Sequence, residues 1–159
     1  MASLKNLVPN ELDELRAFSL SVREVMRLKE VEPFRGGHEY FPQGYCEWAS
    51  IALAALLQSE WGEWQLVKAR AFDDPRGHAW LEKQSVKSGE LISIDITLDQ
   101  FREWDEPFID YGESPASSVY SVVQYRGPWR DWPILRENIA FWNYVEAVRS
   151  YVFGRDLLG

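Results

Sequence analysis

A cysteine, a histidine and an aspartate, suitably placed, make thiol-based acyl chemistry possible, and this 159-residue chain offers one such set in Cys46, His78 and Asp95. Cys46 is the only cysteine. It follows Pro42-Gln43-Gly44-Tyr45 and opens a run that is apolar on nearly every face, which places it at the start of a buried helix. The thiolate is the reactive form of cysteine, and a free thiol titrates at about 8.5. The partial positive charge of a helix N-terminus favours that thiolate, and the unpaired N–H groups there suit a developing oxyanion. His78 begins an expected strand, and Asp95 falls in the next. In a hairpin the two can lie side by side. The carboxylate would then fix the imidazole tautomer and stabilise the imidazolium. His78 would take the Cys46 proton and return it to a leaving group.

Each residue also has a simpler reading. A lone cysteine in an apolar helix is most often a small buried hydrophobe, and a lone histidine at a strand start is more often structural. Asp95 is harder to set aside. Within Leu91-Ile92-Ser93-Ile94-Asp95-Ile96-Thr97 a charge needs a partner or an exposed face.

The elements that must position these groups follow from periodicity. Residues 10–30 read as an amphipathic helix through Leu12, Leu15, Phe18, Val22, Val25 and Met26, with Asn10 as N-cap. Residues 32–45 lose periodicity and read as a loop punctuated by Pro33, Gly36, Gly37, Pro42 and Gly44. Residues 46–59 read as the central buried helix, ended by Gly62. Strands are expected at 64–72, 78–83 and 91–97 as an antiparallel meander, with turns at 73–77 and 87–89 and a further strand at 119–125. A final helix is expected over 133–153, with Leu135, Ile139, Trp142, Val145, Val148 and Val152 on its buried face and Gly154 at its end. This order argues one α+β domain over residues 1–159.

Seventeen basic against twenty-five acidic residues give a net charge of −8. Such a surface repels phosphate backbones and anionic headgroups, so nucleic acid and membranes are not the expected partners. No apolar run approaches the ~20 residues that span a bilayer. The N-terminus lacks a secretory pattern and no intrachain disulfide can form, which together suggest the cytoplasm. One cysteine and two histidines without close spacing make no zinc cluster, and no GxxxxGK[ST] pattern exists, so neither metal nor nucleotide cofactor is expected.

Trp80 is expected to pack beside His78, and Gln100 to line the site or brace the turn after Asp95. Glu82 shares the strand face of His78, with Lys68 or Arg70 as potential partners. The loop around His38 could fold over a cleft, and residues 103–106 read as a solvated acidic turn.

Gly44-Tyr45-Cys46-Glu47-Trp48-Ala49-Ser50, Gly77-His78-Ala79-Trp80-Leu81-Glu82 and Ile94-Asp95-Ile96-Thr97-Leu98-Asp99-Gln100-Phe101, in this order, resemble the transglutaminase-like superfamily of papain-fold proteins. The likeness covers residues 40–101 and is greatest to small bacterial proteins with Cys…His-Ala-Trp-Leu-Glu…Asp-Ile-Thr-x-Asp-Gln-Phe. Glu47-Trp48 stands where those proteins often carry Gly-Asp. The resemblance implies a central helix bearing the nucleophile, packed on an antiparallel sheet with flanking N- and C-terminal helices. It implies Cys46 as nucleophile, His78 as base and Asp95 as orienting acid, without a cofactor. Gln43 and Tyr45, beside the nucleophile, become oxyanion or site-lining candidates with Trp80 and Gln100. The implied activity is cleavage or transfer of an amide in a peptide, protein or small molecule. A non-catalytic binding or immunity-like module is the alternative. An acyl-CoA-dependent amine acetyltransferase fits less well, because its pattern lacks His-Ala-Trp.

Overall fold

The computed structural model describes residues 10–34, 46–73, 77–135 and 138–158. Three helices, α1 (Glu11–Met26), α2 (Cys46–Trp61) and α3 (Ile139–Leu158), accompany five strands: β1 (Gln65–Arg70), β2 (Gly77–Gln84), β3 (Leu91–Asp95), β4 (Phe108–Tyr111) and β5 (Val122–Pro128). The strands form one antiparallel sheet in the order β4-β3-β2-β1-β5. The architecture is therefore α+β. No helix among the described residues is long and apolar enough to cross a membrane.

Successive strand residues point to opposite faces, and the two faces of this sheet are covered differently. Leu66, Ala79, Leu81, Ile92, Ile94 and Ile109 turn toward the helices and share the main core with Leu15, Val22, Ile51, Leu53, Leu57, Phe141, Tyr144 and Val148. Val67, Ala69 and Trp80 turn the other way. Leu98 and Ala116 close over them, with Trp104, Phe108 and Tyr120 partly buried alongside. The segments on either side of β4, around residues 98–104 and 116–120, thus form a second layer, and the face carrying His78, Trp80, Glu82, Ser93 and Asp95 is buried beneath it.

Local signals set most boundaries. The Asn10 side chain accepts a 2.8 Å hydrogen bond from the Asp13 amide and caps α1. That helix ends at Met26, short of the expected residue 30, although Val31 stays buried. In α2 nine residues are buried, matching its lack of a polar face. Gly62 takes φ +74 just beyond it and gives α2 its left-handed cap.

The later part of the chain corrects the expectations. Strand β4 was not expected: four residues between turns leave too little alternation to register. The strand expected at 119–125 begins at Val122, because Pro115–Ser118 forms a short 3-10 turn and Val119 caps it. Pro133–Leu135 is a separate 3-10 turn, and α3 starts at Ile139. The expected apolar stripe of this helix is also rotated. Leu135, Val145 and Val148 are buried as expected, but Ile139 is 74 % exposed and Trp142 is exposed, and the helix's buried face is Phe141, Tyr144, Val145 and Val148. The latter set repeats at three- and four-residue steps as well, and its larger aromatic area wins the core. Gly154 lies within the helix rather than ending it.

Candidate active site

The three residues singled out for chemistry come from three elements. Cys46 is the first residue of α2, His78 the second of β2, and Asp95 the last of β3. The β2–β3 register explains the histidine–aspartate contact. Leu81 pairs with Ile94 and Glu82 with Ser93. One step further, Trp80 stands across from Asp95, so His78 is a diagonal neighbour of Asp95 on the same face. His78 Nε2 lies 2.8 Å from each Asp95 carboxylate oxygen. Both side chains are fully buried. The carboxylate accepts from Nε2–H and fixes the tautomer that leaves Nδ1 to exchange a proton. The Cys46 side chain hydrogen-bonds the same ring, and Cys46 is 7 % exposed.

The electrostatics follow from these contacts. Burial disfavours the imidazolium, but the charge and hydrogen bond of Asp95, followed by those of Cys46, more than offset it. His78 is raised from 6.5 to about 9. At neutral pH the imidazolium is therefore well supported. Cys46 is the first residue of α2, and the first backbone N–H groups of an α-helix have no acceptor within the helix itself.

A surrounding frame holds the set in place. Ser114 is fully buried and donates a 2.7 Å hydrogen bond to Asp95 Oδ2, while its own oxygen accepts from the Ala116 amide. On α1, buried Arg23 donates from Nε to the Ile96 carbonyl at 2.9 Å and pairs with Asp99. This fastens the 3-10 turn Leu98–Gln100 directly after Asp95. Gln100 lies in that turn; its Nε2 stands 3.2 Å from His78 Nδ1, to which it can donate when Nδ1 carries a lone pair, and donates to Thr97 Oγ1 at 3.3 Å. Around the imidazole stand Phe101, edge-on at 4.9 Å between ring centroids, Tyr120 at 5.7 Å and Trp80 at 5.8 Å. Ser114, Arg23, Phe101 and Tyr120 were not expected at the site from sequence. Ser114-Pro115 is legible as the start of a turn, but no local pattern says that the turn folds back onto Asp95.

The remaining expectations divide. Trp80 does pack beside His78, and its Nε1 donates to Glu82 at 3.1 Å. Glu82 does not pair with Lys68 or Arg70 but with Arg126 of β5, at 3.3 Å. Lys68 instead meets Glu47 at 3.0 Å, immediately after the cysteine. Residues 102, 103, 105 and 106 are exposed, while Trp104 turns inward. Gln43, Tyr45, His38 and Gly36-Gly37 lie outside the described residues. The chain matches no protein-family model, no curated protein and no solved structure to a significant degree.

Proposed function

We propose that this chain is a cysteine-dependent amide hydrolase or acyl transferase with a transglutaminase-like, papain-like fold, acting from a reducing compartment such as the cytoplasm. The observation that supports this reading is a single buried histidine. Its Nε2 is held by both oxygens of a buried carboxylate, and the ring also bonds the sole thiol. A structural cysteine needs none of these partners. A histidine buried for packing alone does not need an ionised aspartate, which is costly to enclose.

In this reading Cys46 Sγ attacks the carbonyl carbon of an amide as its proton passes to His78 Nδ1. The tetrahedral oxyanion is stabilised by backbone N–H groups at the start of α2. Collapse breaks the C–N bond, and the departing nitrogen takes the proton from His78. A thioester remains on Cys46. Water or an amine then attacks it, giving its proton to His78, which returns it to the sulfur. Water yields hydrolysis and an amine yields transfer. Peptides, proteins or small amides are the substrate class, and neither step calls for a cofactor.

Iodoacetamide labelling of Cys46 from pH 5 to 9 tests the activation. The expected result is labelling near neutral pH faster than that of a free thiol such as N-acetylcysteine, and slowed at least tenfold by His78→Ala. Equal rates for wild type and the free thiol would overturn the enzymatic reading and favour a binding module.

A further inference from the structure

The His78 nitrogen that faces the chemistry has two neighbours. Nε2 is committed to Asp95, so Nδ1 alone can receive the Cys46 proton. Yet the Gln100 amide nitrogen stands 3.2 Å from Nδ1. An amide nitrogen is only a donor. It can satisfy Nδ1 when that atom carries a lone pair, and it opposes Nδ1 when that atom carries a proton. A donor to the neutral form of a base works against its charged form. The second amide hydrogen goes to Thr97 Oγ1, and the Gln100 backbone N–H bonds the Thr97 carbonyl at 3.0 Å. The turn beneath is fastened by Arg23 through Ile96 and Asp99. The amide is therefore aimed by its surroundings.

We propose that Gln100 is a positioning residue that caps His78 Nδ1, opposing the protonation of that nitrogen that Asp95 and Cys46 favour, until the cap is drawn away. This rests on the amide-chemistry reading and adds a control to it. While the cap is in place, the Nδ1 lone pair is not fully available to the thiol, and the sulfur stays less nucleophilic. Moving the amide frees Nδ1 for the proton and frees an N–H donor next to the reacting centre. A substrate carbonyl oxygen is the group chemically fitted to draw it off, because it accepts the hydrogen bond that Nδ1 gives up. Activation of the thiol then accompanies substrate binding. Other ionisable or charged groups on the elements packed around the ring are Asp95 on β3, Cys46 and Glu47 on α2, Lys68 on β1, Glu82 on β2, Tyr120, and the Arg23–Asp99 pair. Asp95 and Cys46 act in the opposite sense to the cap. Glu47 and Lys68 pair with each other, Glu82 with Arg126, and Arg23 with Asp99.

The test separates the cap from the nucleophile. In a Cys46→Ala background, the His78 ring is titrated by 15N NMR with and without Gln100→Ala. Loss of the cap is expected to raise the midpoint by about half to one pH unit. Gln100→Glu keeps the shape but presents an acceptor, and is expected to raise it further. With Cys46 present, Gln100→Ala is expected to quicken iodoacetamide labelling at pH 6 by roughly three- to tenfold. A midpoint that stays put or falls in both variants overturns the cap, even if wild-type Cys46 proves highly reactive. Conversely, a raised midpoint beside an unreactive wild-type thiol would retain the Gln100–His78 coupling and remove the enzymatic reading.

Discussion

Replacing Asp95 by Asn should reverse the pH dependence of stability over a defined window. In the wild type, His78 titrates at about 9, against 6.5 for an unperturbed imidazole. That difference corresponds to roughly 3 kcal/mol of stability, and full burial of the ring means that solvent screening does not reduce it much. The folded-state value lies above the unfolded one. The contribution is therefore complete below pH ~6.5 and is lost as pH rises through about 9. Asparagine preserves shape and can still accept from Nε2–H, but it carries no charge. Burial is then opposed by Cys46 alone, and the His78 midpoint falls toward or below the ordinary value. With it depressed below that value, the variant loses stability as pH falls rather than as it rises. Urea unfolding of both proteins at intervals from pH 5.5 to 9.5 isolates the effect, because groups unaffected by the substitution cancel in the difference. Wild type is expected to exceed the variant most at pH 6, and the gap is expected to shrink by about 3 kcal/mol by pH 9.5. Labelling of Cys46 over the same range follows the thiol separately. A gap that does not change with pH would show that Asp95 does not govern His78, and the electrostatic account of the site would fail with it.

Three further outcomes are expected. Ser114→Ala removes the 2.7 Å donor to Asp95 and leaves a buried carboxylate oxygen short of a partner; thermal unfolding should register a loss of about 1–3 kcal/mol, and slower Cys46 labelling should accompany it. Arg23→Met takes away the tie from α1 to Ile96 and Asp99. It should cost about 3 kcal/mol in urea unfolding and broaden the NMR signals of residues 97–101, whereas a neutral result would mean the turn holds itself. Gly62→Ala forces a side chain into φ +74 beside the Lys83 ammonium, so urea unfolding should show a loss of about 1–2 kcal/mol, seen as a lower midpoint with an unchanged slope.

What the sequence disclosed, and what it withheld, follows from the range of the forces involved. The α1 cap at Asn10, the all-apolar α2 and the β1–β2–β3 meander are local or nearest-neighbour features, and periodicity reports them well. The closeness of His78 to Asp95 was legible because a hairpin register carries it. The small rotation of the buried face in α3 was not: with Val145 and Val148, Ile139 and Trp142 form as good a helical stripe as Phe141 and Tyr144 do, and only the shape of the core decides between them. Ser114, Arg23 and Tyr120 reach the site through contacts spanning tens of residues, and nothing near them in the chain marks the partner. Ser93 and Asp95 did carry a signal. Polar residues alternating with isoleucines announce a sheet face unlike its reverse, although not that the chain returns to bury it.

That burial governs where protons can travel. His78 and Asp95 offer bulk water no surface, so a hydrogen ion accepted by the imidazole has no buffer molecule to pass to. Its way out lies back along the sulfur side, where the reacting nitrogen waits. In the proposed reaction, such a sealed relay should make turnover indifferent to buffer concentration, and small bases such as free imidazole should not restore activity to a His78→Gly protein unless the layer over that face loosens first.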